Sequence, residues 1–138
     1  MDKPRVGLSR EKLEEYIAIT PFATLVGAKL EDYEPGKASL SVQLRKELTQ
    51  HHGFGHGAMV SFMADSAMAW CAASVVGDVV TSEYKINLLA PAVGDKLIAR
   101  GEVIKASSRQ VVARADVFAV KDGREKIVAT ALATIAVF

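Results

Sequence analysis

The most apolar stretch of the chain, "HGAMVSFMADSAMAWCAASVVG" at residues 56–77, holds one charge between its two flanking glycines, the carboxylate of Asp65. An unpaired carboxylate set among apolar side chains is costly, so it gains partners or a shifted proton affinity. Such a position marks a functional candidate, able to act as general base or as nucleophile. Gly57 opens the same stretch eight residues upstream. If the stretch is helical, the N–H groups of its first turn are unpaired and sit at the positive end of the helix dipole. With no side chain at Gly57, an acyl carbonyl can approach that backbone, where a donor stabilises a developing oxyanion. A glycine here also serves a plain loop-to-helix turn. Eight residues at 1.5 Å put Gly57 and Asp65 about 12 Å apart along one axis, too far to serve one carbonyl within a single chain. A two-fold dimer with antiparallel helices brings Asp65 of one copy to Gly57 of the other, giving two shared sites.

All three histidines fall just before this stretch, in "HHGFGH". The His52-x₃-His56 spacing suits zinc, with Asp65 as an oxygen donor, but no cysteine or further histidine completes a ligand set. The expectation is no metal and no cofactor, with His56 shaping the entrance to the helix.

The elements that must position these residues follow from pattern. The 138 residues make one domain of ordinary size, half hydrophobic and about a quarter charged, the profile of a soluble globular chain. Net charge is +1, without the basic excess of a nucleic-acid or anionic-membrane binder. One cysteine, Cys71, precludes an internal disulfide, and the charged N-terminus lacks the apolar core of a signal peptide; both point to the cytoplasm. The apolar stretch approaches membrane-spanning length, yet Asp65 near its centre would cost roughly 2.5–3.5 kcal/mol there, so a core helix of about five turns is expected.

Before it, "SREKLEEYIAIT" reads as a short amphipathic helix capped by Ser9, with Pro21 ending it or marking the turn after it. "FATLVGAKLEDYE" reads as a strand, Pro35-Gly36 as a turn, and "KASLSVQLR" as a half-buried strand with Ala38, Leu40, Val42 and Leu44 on one face. Four strand-like segments follow Asp78, the last two joined at Asp122-Gly123, a hairpin signal. Residues 1–20 form an N-terminal helical segment and 21–138 the main domain. The class is α+β: a long central helix wrapped by an antiparallel sheet of about six strands.

This order, with "QHHGFGHGAMVSFMAD", resembles the hotdog-fold acyl-CoA thioesterases, specifically the phenylacetate-pathway (PaaI-type) branch. That branch carries Asn or Gln, a glycine, His-Gly-Gly, and an aspartate nine residues after the histidine. Here these are Gln50, Gly53, His56, Gly57 and Asp65, with Ala58 in place of the second glycine. "TSEYKINLLAPAVGDKLIARGEV" and "DGREKIVATALAT" extend the likeness over residues 20–138.

The resemblance implies hydrolysis of an acyl-CoA thioester to free acid and CoA, in a homodimer or dimer of dimers. Asp65 is then base or nucleophile, and the Gly57 amide polarises the carbonyl. Gln50 donates to that carbonyl or orients water, and Thr81 positions the attacking water. Ser108 and Arg109, in the turn "KASSRQ", fall where the family meets the nucleotide phosphates. His56, Ala58 and Phe54 border the substrate, and Met59, Phe62, Met63, Met68 and Trp70 are candidates for an acyl tunnel. A hotdog dehydratase or hydratase is a lesser alternative, since its histidine-to-acid spacing differs. A non-catalytic acyl-CoA-binding protein is another, weakened by the carboxylate a mere binder does not need.

Overall fold

The computed structural model describes residues 5–138, so the first four residues of the N-terminal segment lie outside the described residues. Helix α1 (Arg10–Ala18) starts as its capping residue dictates, with Ser9 Oγ accepting from the Lys12 N–H at 3.1 Å. It buries Leu13 and leaves Lys12, Glu14 and Glu15 in solvent.

Pro21 does not end structure but begins it. Residues Pro21–Val26 form a second helix, α2, with proline in the first turn and Gly27 (φ 75°) as the left-handed residue after it. The strand expected from Phe22 therefore begins only at Lys29. It is β1 (Lys29–Glu34), and Pro35-Gly36 turns it into β2 (Lys37–Gln43).

The alternation expected of β2 holds for its apolar face, with Leu40 and Val42 fully buried. On its other face Gln43 is exposed as expected, but Ser39 and Ser41 are not. Ser39 and Ser41 are buried because β1 covers them: Ser41 Oγ donates to Glu31 Oε1 at 2.6 Å and Ser39 Oγ to Asp32 Oδ2 at 3.2 Å.

After a loop with a short 3-10 turn (Lys46–Leu48), the chain forms helix α3 (Gly57–Val76) and then β3 (Val79–Leu88), β4 (Lys96–Ala106), β5 (Gln110–Lys121) and β6 (Arg124–Val137). All six strands make one antiparallel sheet in the order β1-β2-β4-β5-β6-β3. Asp122 (φ 52°) and Gly123 (φ 74°) close the β5–β6 hairpin in the left-handed conformation such a two-residue turn demands. The chain leaves β2, lays α3 across the sheet, places β3 at the far edge and returns to pair β4 with β2. This is the hotdog arrangement.

The sheet wraps α3 on one side only. Met59, Met63, Met68 and Cys71 pack against Leu40, Leu97, Val111, Val117 and Ile135 as core. Contact is close at Gly101 of β4, where an added Cβ would lie 2.3 Å from the Ala67 carbonyl oxygen. By length and composition α3 could cross a membrane, but most of it is buried in this fold, as a core helix would be. The opposite face, along Ser61, Phe62, Asp65, Ser66, Ala69 and Trp70, is only half-covered, so the helix is not enclosed all round.

Candidate active site

Asp65 lies on this half-covered face, away from the core; the burial its sequence context suggests is not imposed by the chain itself. Its position is set by the crossing of α3 over β3. The Thr81 hydroxyl donates to Asp65 Oδ1 at 2.7 Å, holding the carboxylate at one oxygen; among the described residues Oδ2 receives no hydrogen bond. The Thr81 oxygen keeps lone pairs with which to accept from a water beside the carboxylate.

Directly after Thr81, β3 carries a bulge: Thr81 pairs with Ile135 and Glu83 with Thr134, so Ser82 is an extra residue. The bulge lets Thr81 face the helix while Glu83, Lys85 and Asn87 line the opposite sheet face with Ile104 and Leu132. Tyr84, Ile86 and Leu88 consequently turn to the helix side, yet Tyr84 and Leu88 remain 36% and 58% exposed.

At the start of α3, His56 is the N-cap residue, its Nδ1 accepting from the Ala58 N–H at 2.9 Å. The Met59 and Val60 N–H groups donate to the His56 carbonyl. Among the described residues the Gly57 N–H has no acceptor, which leaves it a donor at the positive end of the dipole. The fold does not require glycine here: a Cβ would make only ordinary contact, at 3.5 Å, with Leu88 Cδ1. The missing side chain therefore leaves room for something outside the chain.

Gln50 sits in the preceding loop, half-buried, with Oε1 accepting from the His52 N–H. That bond orients its NH₂ as the remaining donor. Phe54 stacks on His52 at 5.8 Å and is half-buried in the same loop. Among the described residues no cluster of three or more His, Cys, Asp or Glu side chains converges on a metal position. Cys71 is no nucleophile: burial pushes its thiol up to about 12, and it donates to the Met68 carbonyl.

The structure thus joins Asp65 to Thr81, and gathers Gln50, Phe54, His56, Gly57 and Ala58 at the start of α3. It does not bring Ser108 and Arg109 to either group within one chain. Both are exposed in the β4–β5 turn, where the Arg109 carbonyl accepts from Val137, at the end of the sheet nearest the close of α3. Of the tunnel candidates, the three methionines belong to the core, while Phe62 and Trp70 border a cleft on the outer face of α3. That cleft was not legible in sequence, because a helix apolar on nearly every face carries no directional signal.

The family model of the thioesterase superfamily matches residues 52–126, spanning the loop, α3 and the strands through the start of β6. A thioesterase family protein from Silicibacter pomeroyi is 36% identical, with a TM-score of 0.88 over 91% of this chain and 95% of that one. A variant of the phenylacetic acid degradation protein PaaI from Thermus thermophilus is 28% identical, with a TM-score of 0.75 over 86% of this chain and 99% of that one. The candidate esterase SSO1253 of Saccharolobus solfataricus is 29% identical over 133 residues, 95% of this chain and 87% of that protein. With this match running through the loop and helix that hold Gly57 and Asp65, the chain belongs to the thioesterase superfamily.

Proposed function

We propose that the protein hydrolyses acyl-CoA thioesters, with Asp65 as general base and the Gly57 N–H as oxyanion donor. The observation that carries this is the Asp65–Thr81 pair: a carboxylate steered at one oxygen, with the other free beside a hydroxyl that can hold water. Asp65 takes a proton from that water as the water oxygen adds to the thioester carbonyl. The resulting oxyanion is held by Gly57, with the Gln50 amide as a second donor. Collapse breaks the C–S bond, and the thiolate of CoA leaves to take up a proton. An alkyl thiolate is a much weaker base than an alkoxide, so it leaves from the tetrahedral adduct without metal assistance.

The about 12 Å between Gly57 and Asp65 along α3 requires two copies per site. The unpaired edge of β3, flanked by exposed Tyr84 and Leu88, supports pairing with a second copy. The partners implied are acyl-CoA and the chain itself, as a dimer or dimer of dimers, with no nucleic acid, membrane or cofactor. The single cysteine supports a reducing, cytoplasmic compartment. Likeness to a PaaI protein supports the phenylacetate-pathway branch.

Gly57→Pro removes the proposed oxyanion donor, and Gly57→Ala, which adds a side chain but keeps the N–H, controls for the room a side chain takes. The first helical position favours proline, and His56 (φ −64°, ψ 141°) already has the extended backbone that a following proline imposes. The proline variant should fold normally, yet its kcat for acyl-CoA should fall by about 10²–10³-fold, read by thiol release. Unchanged turnover would remove this amide from the mechanism. Sharing of sites is tested by mixing. Asp65→Asn and Gly57→Pro chains, each inactive alone, should after co-refolding regain about a quarter of wild-type activity, since half the dimers are mixed and each holds one intact site. No recovery in dimers verified as mixed would place the whole site in one chain.

A further inference from the structure

The loop that delivers the chain to α3 is pinned at its base. Thr49 and Gly55 form an isolated bridge, the Gly55 N–H donates to the Ala92 carbonyl at 2.9 Å, and the His56 N–H donates to the Leu48 carbonyl at 3.0 Å. Further out, the Gln50 N–H donates to the Phe54 carbonyl and the Gly53 N–H to the Gln50 carbonyl, both at 2.9 Å. At the tip His51 and His52 are exposed and Phe54 is half-buried. Three rings meet there. His52 lies nearly parallel to Phe54, with 10° between planes and 5.8 Å between centroids, and His51 tilts against His52 at 4.1 Å.

We propose that this stack positions Gln50: the rings of His52 and Phe54 hold the His52 backbone where its N–H grips the Gln50 side chain. The two exposed imidazoles then serve as rings, not as bases or metal ligands. The inference rests on the hydrolytic reading above, in which the Gln50 amide is the second oxyanion donor, and adds to it the residues that aim that donor.

Three observations carry it. First, Gln50 Oε1 accepts from the His52 N–H, and among the described residues this is the one hydrogen bond the Gln50 side chain makes. With the oxygen engaged, the NH₂ is turned the other way, and its direction is only as firm as the His52 backbone. A glutamine side chain without such a bond samples many rotamers. Second, the backbone at the tip does not hold itself. Gly53, next to His52, takes φ 90°, a left-handed turn at the residue type with the widest conformational freedom. Third, Phe54 is tied where His52 is not. Its carbonyl accepts from the Gln50 N–H, so its ring is an anchored post, and offset parallel rings attract at the separation seen. The links close on themselves: Gln50 N–H to Phe54, Phe54 ring to His52 ring, His52 N–H to Gln50 Oε1. Other uses of the histidines find no support among the described residues. His56 Nδ1 is committed to the Ala58 N–H, and no group of side chains that could hold a metal includes His51 or His52.

Removing a ring should loosen the aim of the amide without touching substrate. Phe54→Ala and His52→Ala should each lower kcat for acyl-CoA by about tenfold with KM nearly unchanged, short of the about 10²-fold loss expected of Gln50→Ala. His52→Tyr, which restores a ring but no imidazole, should keep most of the wild-type kcat. In a Gln50→Ala background the two ring deletions should cost nothing further, because residues that act through one group are not additive. The side-chain amide of Gln50 gives a readout independent of turnover. Its ¹⁵N-correlated proton resonances should be dispersed in the wild type and in His52→Tyr, and should move to the positions of a free glutamine in His52→Ala. Should Phe54→Ala melt early, the exposed His52 carries the test alone. Additive losses, a raised KM in place of a lowered kcat, or a His52→Tyr variant as impaired as His52→Ala would overturn the assignment. If the protein cleaves no thioester yet the Gln50 amide responds as described, the positioning stands and the hydrolytic reading falls. If it cleaves none and the amide is the same in every variant, both fall.

Discussion

Asp65→Asn should lower kcat/KM for acyl-CoA by about 10²–10⁴-fold, the range that loss of a positioned general base produces. Geometry separates this loss from unfolding. Asp65 is partly buried, and among the described residues its one hydrogen-bond partner is the Thr81 hydroxyl, which donates to Oδ1. Asparagine keeps an oxygen able to accept that bond, so the crossing of α3 over β3 retains its tie and the melting temperature should hardly move. What asparagine lacks is the basic second oxygen to which the proposed mechanism gives the proton of water. Thiol release across an acyl-CoA panel, set beside a thermal melt, distinguishes chemistry from stability. A folded variant with wild-type turnover would exclude Asp65 as the base. Single turnover in ¹⁸O water should place the label in the released acid and none in the Asp65 carboxylate, because the base mechanism forms no anhydride.

The second large effect falls on stability. Gly101→Ala places a Cβ 2.3 Å from the Ala67 carbonyl oxygen and 2.6 Å from its carbon, both backbone atoms of α3. Neither side can yield cheaply. β4 is held between β2 and β5, and Ala67 and Met68 are fully buried at the contact. Overpacking of this kind costs roughly 1–3 kcal/mol, and a backbone clash belongs at the upper end. For a chain of this size that lowers the melting temperature by about 10 °C. Alanine at Gly57, where the new Cβ meets only Leu88 Cδ1 at 3.5 Å, should leave the melt nearly unchanged and serves as the comparison. Ala67 is two residues beyond Asp65, so displacing the helix at Gly101 also disturbs the Asp65–Thr81 bond. Activity should therefore fall further than the folded fraction. A wild-type melting curve for Gly101→Ala would show that the helix and sheet separate more easily than their packing implies.

How far these features can be read from sequence depends on whether a local pattern carries them. The alternation at residues 38–44, the left-handed demand of Asp122-Gly123 and the apolar length of 57–76 each specify an element, and each formed. Residues 21–26 carry no such period. A six-residue helix completes too few turns to show one, and Phe22, Thr24 and Val26 are as much at home in a strand. The available signal was the pair of terminators, Pro21 and Gly27. Ser39 and Ser41 were misplaced for a different reason. Alternation reports which side chains share a face, but whether a neighbouring strand covers that face is a tertiary fact.

The site divides in the same way. Asp65 stands out because a charge in an apolar stretch is costly, whereas its bond to Thr81 depends on how α3 crosses a strand 16 residues later. The separation of Met63 and Met68 from Phe62 and Trp70 is set wholly by which side of α3 the sheet takes.

The bulge in β3 gives that strand something like a reading frame. Before Ser82 the inward positions fall on Val79 and Thr81; after it they fall on Tyr84, Ile86 and Leu88, one step out of phase. Ser82 itself is exposed and takes no inward position. Were the strand to run through Ser82 without the bulge, every later side chain would change face, with Lys85 and Asn87 turned to the helix and Tyr84 and Leu88 away from it. Because the bulge absorbs the extra residue, deleting Ser82 should leave Thr81 opposite Ile135 and Glu83 opposite Thr134, with the inward set unchanged. The phase between Thr81 and the apolar edge is held by the bulge and not by the serine.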